Sequence, residues 1–236
     1  MLNNNFLATL ATFAVALAWL RLNDFIAHRG WVDSHLSRKI IHIGTGPLFV
    51  LCWPLFTAAP ISRYLAALVP FAITMQFVLV GLGVMRDEAA VKAMSRTGDR
   101  REILKGPLFY GIVFVLLTLL YWQDSPIGMT ALMLMCGGDG LADIMGRGLK
   151  SAHLPWSRGK SWFGSLGMFL GGWALTMLIL GIYVLAGAPG FGPFTGYLLP
   201  VTMIALVATL VESLPLRDVD NITVTLAAVA LGYLVF

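Results

Sequence analysis

Eight apolar runs, each about 16 to 24 residues long, divide the chain, and a helix needs a run of that length to cross a lipid bilayer. They fall at 5–20, 40–57, 64–84, 106–122, 126–142, 163–187, 196–213 and 222–236. No stretch alternates at period 2, which removes a β-barrel and leaves helices to satisfy the backbone in lipid. The expected fold is all-α: a polytopic bundle of about eight transmembrane helices, one domain over 1–236. Composition agrees. Of 236 residues 58% are apolar and only 12% charged, about half the charged share of a soluble domain, and the mean hydropathy is +0.82. A soluble protein, a disordered tail and a basic nucleic-acid binder are excluded, although the pI is near 9.3.

The basic residues test the topology. The first, third, fifth and seventh connections carry fifteen of the 16 Lys and Arg, and the even-numbered ones carry only Arg63. By the positive-inside rule the odd connections (21–39, 85–105, 143–161 and 213–221) are cytoplasmic and both termini lie outside. Of the twelve acids only Asp124 falls on the outer side. No run has an ionisable residue near its centre, which speaks against an ion-coupled transporter. Met1–Asn5 lacks the basic start of a cleavable signal, so a bacterial inner membrane is the expected location. Cys52 and Cys136 sit inside apolar runs and read as small buried residues. The seven tryptophans lie mostly near run ends, where interface belts account for them. The mixed-charge segment 85–105 reads as a short interfacial helix.

Three constellations carry possible chemistry. In 136–147, CGGDGLADIMGR, Asp139 and Asp143 are spaced i, i+4, which places both carboxylates on one helix face. Two acids beside Gly138 and Gly140 suit a magnesium ion bridging to phosphate oxygens. Further on, Arg158, Gly159, Lys160 and Ser161 precede the sixth run, where a helix start, a lysine and a hydroxyl can face an anion. This segment lacks the spacing of a Walker A loop, and the alternative to a nucleotide site is a glycine-rich re-entrant turn with basic anchors. In the second constellation, Arg38, Lys39 and His42 open the second run. The two cations serve as topology anchors, whereas an imidazole at the lipid boundary needs a partner, phosphate or hydroxyl. In the third, Glu212 ends the seventh run where a carboxylate meets the polar face. Arg217, Asp218, Asp220 and Asn221 follow, and Asp220 or Asn221 equally suits a helix N-cap.

Taken together, RKIIHIG at 38–44, GDGLADIMGR at 138–147, RGKSWFGSLGMF at 158–169 and VESLPLRDVDNITV at 211–224 resemble the phytol, farnesol and dolichol kinase family. These are integral-membrane enzymes that phosphorylate lipid alcohols with CTP. The resemblance covers about 200 residues. GKSWFGS at 159–165 is also similar to phosphatidate cytidylyltransferases, so cytidylyl transfer to a lipid phosphate is the alternative, with a non-enzymatic transporter or scaffold the third reading. The resemblance implies CTP, an isoprenoid alcohol (phytol, geranylgeraniol, farnesol or a polyprenol) and Mg2+, with the bilayer as partner and no nucleic acid. Under it, Asp139 and Asp143 hold magnesium. Gly138, Gly140, Arg158, Lys160, Ser161 and Asn221 hold the nucleotide. Arg38, Lys39 and His42 meet the γ-phosphate or orient the alcohol, and Glu212 or Asp220 takes the hydroxyl proton.

Overall fold

The computed structural model describes residues 4–95, 97–216 and 219–236, so Arg96, Arg217 and Asp218 lie outside the described residues. Among the described residues, ten α-helices follow one another as α1 (Asn5–His28), α2 (Ser34–Leu51), α3 (Ser62–Leu82), α4 (Glu88–Met94), α5 (Gly106–Leu120), α6 (Pro126–Met133), α7 (Asp139–Gly148), α8 (Trp162–Leu185), α9 (Leu198–Glu212) and α10 (Asp220–Val235). The only described strands are β1 (His153–Leu154) and β2 (Ser157–Ser161), a short antiparallel hairpin between α7 and α8. Local chemistry marks the ends. Asn4 Oδ1 accepts from the Phe6 amide at 2.8 Å and Asp33 Oδ1 from the Leu36 amide at 2.8 Å, capping α1 and α2. Gly83, at φ 79°, takes the left-handed turn that ends α3. Pro107 and Pro126 stand in the first turns of α5 and α6, where a missing amide costs nothing.

Six helical stretches among the described residues are long and apolar enough to span a membrane: Asn5–Ala27, Ser62–Leu82, Arg100–Leu120, Pro126–Gly148, Trp162–Leu185 and Phe194–Glu212. The other two apolar runs are helical as well. α10 is a shorter apolar helix, and α2 begins with the polar sequence SHLSRK. Exposed Leu68, Leu116, Leu206 and Leu226 show that the outer faces are apolar, as lipid-facing surfaces are.

The fifth run departs from expectation. Its helix continues through Gly148 rather than stopping at 142, with the stretch Leu134–Gly138 wound as a π-helix between α6 and α7. This helix is also the hub of the bundle. Of its spanning window 72% is buried, against 17–39% for the other five. Small residues let its neighbours close in. A Cβ on Gly137 would lie 2.8 Å from the Gly171 carbonyl oxygen, and one on Gly167 would lie 2.7 Å from that of Leu141. The interface belt accounts for exposed Trp31, Trp156 and Trp162 but not for Trp53 and Trp122, which are buried and lie 5.2 Å apart. Both cysteines are buried and free. Among the described residues of 85–105, the helical elements are the seven-residue α4 and a 3-10 turn at Arg100–Leu104.

Candidate active site

Two lysine-centred ion clusters, built by five separate elements, share one cleft of about 950 Å³. In the first, α2 faces α7. Lys39 Nζ lies 3.3 Å from Asp139 Oδ2 and 3.6 Å from Asp143 Oδ2. His42 Nε2 is 3.2 Å from Asp139 Oδ2 and 3.2 Å from the Met135 carbonyl oxygen. His35 Nε2 approaches Asp143 Oδ2 at 2.8 Å, and Arg147 Nε donates to Asp143 Oδ1 at 2.8 Å. The i, i+4 spacing does present both carboxylates to one partner helix. On α2 the partners recur at 35, 39 and 42, the same periodicity seen from the other side.

In the second cluster β2 brings Lys160 to α9 and α10. Its ammonium donates to Glu212 Oε1 and, at 3.1 Å, to Asp220 Oδ2. Glu212 is only 4% exposed, so its carboxylate depends on this partner. Burial pulls the Lys160 pKa down, but the two carboxylates more than offset it and hold the group above the ordinary lysine value of 10.5. This hairpin, rather than a bare glycine-rich turn, is what carries the lysine expected at the nucleotide into the cleft. Trp156 in the same hairpin donates from Nε1 to Ser213 Oγ at 3.2 Å, pinning the hairpin next to Glu212.

Several assigned residues take other places. Gly138 and Gly140 are buried and do not line the cleft. A Cβ at Gly138 would lie 2.6 Å from Met168 Sδ and one at Gly140 would lie 2.2 Å from Ile43 Cγ1. They admit neighbouring helices rather than a nucleotide. Ser161 lines the cleft and in addition caps α8, its Oγ accepting from the Gly164 amide at 3.2 Å. Neither Asp220 nor Asn221 is an N-cap. Val219 holds that position with no side-chain bond, and Asn221, which lines the cleft, donates from Nδ2 to the Gly106 carbonyl at 3.2 Å, tying α10 to the start of α5. Arg38 and Arg158 line the cleft, Arg158 as an exposed residue.

Three participants were not singled out from the sequence. His35 and Arg147 were legible from helical spacing to Lys39 and Asp143. Tyr110 carried no signal, being one tyrosine in an apolar run. Its ring lies 4.3 Å from that of His42, and its hydroxyl donates to the His42 carbonyl at 2.7 Å.

Among the described residues no three His, Cys, Asp or Glu side chains gather into a metal cage. Magnesium rarely asks for one, since it takes one or two carboxylates and completes its shell with phosphate oxygens and water. Asp139 and Asp143 offer that donor set. Asp143 Oδ2 is buried without a well-directed hydrogen bond, despite the nearby His35 nitrogen.

Away from this charged mouth the cleft becomes apolar, running between α1, α2, α3 and α5 past Val15, Leu48, Ile73 and Phe77. One end therefore suits a multiply charged anion and the other a hydrocarbon.

No family model matches the chain, and no solved structure matches it. The chain is 42% identical over 231 residues to a probable phytol kinase, chloroplastic, of Triticum aestivum, covering 97% of this chain and 77% of that one. It is 41% identical over 231 residues to phytol kinase 1, chloroplastic, of Arabidopsis thaliana, covering 97% and 76%. With the farnesol kinase, chloroplastic, of Arabidopsis thaliana it shares 39% identity over 227 residues, covering 95% and 73%. These relatives are chloroplastic by name, which lends no support to a bacterial inner membrane. At this identity over nearly its whole length, the chain belongs to the phytol and farnesol kinase family.

Proposed function

We propose that the protein is a CTP-dependent kinase that transfers the γ-phosphoryl group to the hydroxyl of an isoprenoid alcohol dissolved in the membrane. The observation that carries this reading is the single cleft, with two lysine-carboxylate clusters at its mouth and apolar walls along its length. The phytol and farnesol kinases among its relatives support the acceptor class, and the family resemblance supports CTP. The positive-inside pattern supports a mouth on the cytoplasmic face of an eight-helix arrangement.

Phosphoryl transfer asks for positioning and charge neutralisation more than covalent help. Lys160 and Arg158 would neutralise the triphosphate, Lys160 exchanging its carboxylate partners for phosphate oxygens. Asp139 with Asp143 would hold magnesium, which supplies positive charge at the β- and γ-phosphates. Lys39 and His42, on the same side, would orient the γ-phosphate. Glu212 or Asp220, released from Lys160, would take the hydroxyl proton as the alcohol oxygen bonds to the γ-phosphorus. The bond from that phosphorus to the β,γ-bridging oxygen breaks and CDP leaves. A neutral alcohol tolerates acids at 212 and 220, whereas a lipid phosphate would be repelled by them.

The test follows the label. CTP labelled at the γ position should give labelled lipid monophosphate, and CTP labelled at the α position should leave the lipid unlabelled. Recovery of α-label in lipid would replace this reading with cytidylyl transfer.

A further inference from the structure

The apolar part of the cleft is bounded at its inner end by buried side chains. It follows one face of α2, where Arg38, His42, Thr45, Phe49 and Cys52 recur at three- and four-residue intervals and all line the space. Ten residues separate His42 from Cys52, about 15 Å of depth at the helical rise of 1.5 Å per residue. None of residues 53–68 lines the space. Thr12 of α1, Val69 of α3 and Phe114 of α5 close around Phe49 and Cys52, and all five are more than nine-tenths buried. Beneath them the bundle is filled by aromatic rings. Phe49 lies 5.8 Å from Phe114 and 5.9 Å from Trp53. Trp53 lies 5.2 Å from Trp122, which meets Phe56 at 5.8 Å. An interior packed in this way leaves no passage for a chain.

We propose that the floor made by Phe49, Cys52 and Phe114 sets the longest isoprenoid tail the site accepts, so that short isoprenoid alcohols are substrates and long polyprenols are not. The inference rests on the lipid-alcohol kinase reading above. Its physical basis is steric. A tail moving from lipid into an apolar cleft gains little, because bilayer hydrocarbon is as apolar as the walls. What the floor decides is where the hydroxyl stops. A tail whose end meets Cys52 too early leaves its oxygen above the phosphate, and a misplacement of about 1 Å can cost about a hundredfold in rate. Cys52 is a small side chain in the lining at the inner end of the cleft, so it is the position at which a larger side chain shortens the space most directly.

The test compares kcat/KM for farnesol, phytol and a long polyprenol in the parent, Cys52→Leu and Cys52→Phe proteins, in detergent micelles. The ratio of farnesol to phytol should rise at least tenfold in Cys52→Phe and by a smaller factor in Cys52→Leu. Because each ratio is read within one preparation, a partly misfolded fraction cancels. Equal losses for farnesol and phytol would overturn the proposal. So would parent turnover of the polyprenol at a rate matching phytol, a measurement that needs no variant. A second arm records thermal stabilisation by each alcohol without nucleotide. Stabilisation graded by length, together with no phosphorylation of any alcohol, would uphold the floor and reject the kinase reading.

Discussion

Lys39 Nζ sits 3.3 Å from Asp139 Oδ2 across one hundred residues of chain. The same ammonium lies 3.6 Å from Asp143 Oδ2, so one cation holds two successive turns of α7 against α2. With Lys160 between Glu212 and Asp220, the cleft has two points where a lysine stands between paired carboxylates. Each is poised to exchange protein charge for the charge of a phosphate or a metal ion.

Asp139→Asn keeps the volume and removes the charge. The helix should remain, because its packing rests on Gly137, Gly167 and Gly171 rather than on the ion pair. Turnover should fall about a hundredfold or more, on the order of 3 kcal/mol at the transition state. Steady-state rates across a magnesium titration check this. Parent-like turnover at low magnesium would make Asp139 a structural residue.

Lys160→Met should destabilise the protein by about 3–5 kcal/mol, the usual consequence of leaving a buried charge without its partner. The double variant Lys160→Met, Glu212→Gln should recover part of that loss, as read by unfolding in detergent. The effect has a pH signature. The folded pKa of Lys160 lies above its unfolded value of 10.5, so its stabilisation is fully present below that value and is lost as pH rises through the higher folded pKa. The gap in thermal midpoint between the parent and Lys160→Met should therefore stay constant from neutral to mildly alkaline pH and shrink only beyond. A gap that narrows near neutrality would assign the stabilisation to another group.

Gly167→Ala places a Cβ 2.7 Å from the Leu141 carbonyl oxygen and 3.1 Å from Ala142 Cα, both backbone atoms. The helices must part, which costs about 1–3 kcal/mol and moves Asp143 relative to Lys39. A lower thermal midpoint with a further loss of turnover is expected. Gly148→Ala, where no heavy atom lies within 4 Å of the new carbon, should leave the midpoint nearly unchanged. Equal effects from the two would rule out helix proximity as the cause.

The charge asymmetry predicts sidedness. Single cysteines replacing the exposed Lys92 and Lys150 should label from the face opposite to one replacing the exposed Asp124, in a background without Cys52 and Cys136. An impermeant thiol reagent applied to sealed, oriented vesicles reads this directly. Labelling of 92 and 124 from the same side would break the eight-helix arrangement.

Much of the bundle was legible because membrane helices are written locally. Apolar length marks α3, α8 and α9 without reference to any partner. The i, i+4 pair of Asp139 and Asp143 was equally local, needing only helical geometry. Gly138 and Gly140 misled for the same reason. A glycine marks close approach, but the sequence does not say whether the approaching group is a phosphate or, as here, Met168 and Ile43. Ser161 was read as a hydroxyl facing an anion; it lines the cleft, and nothing in the sequence signalled that it also accepts from the Gly164 amide as the cap of α8.

The sequence by itself determined the helical, apolar architecture and the carboxylates and lysines available for a site. Those follow from hydrophobicity and 3.6-residue periodicity, which act over a few turns of one segment. Only the tertiary structure decided which charge meets which. Lys39 finds Asp139 and Lys160 finds Glu212 and Asp220. It also brought Phe49 of α2, Cys52 just after it and Phe114 of α5 into the lining of one cleft. Ion pairing and steric closure depend on distances of a few ångströms between segments far apart in the chain, and packing of α2, α5, α7, α9 and α10 sets those distances.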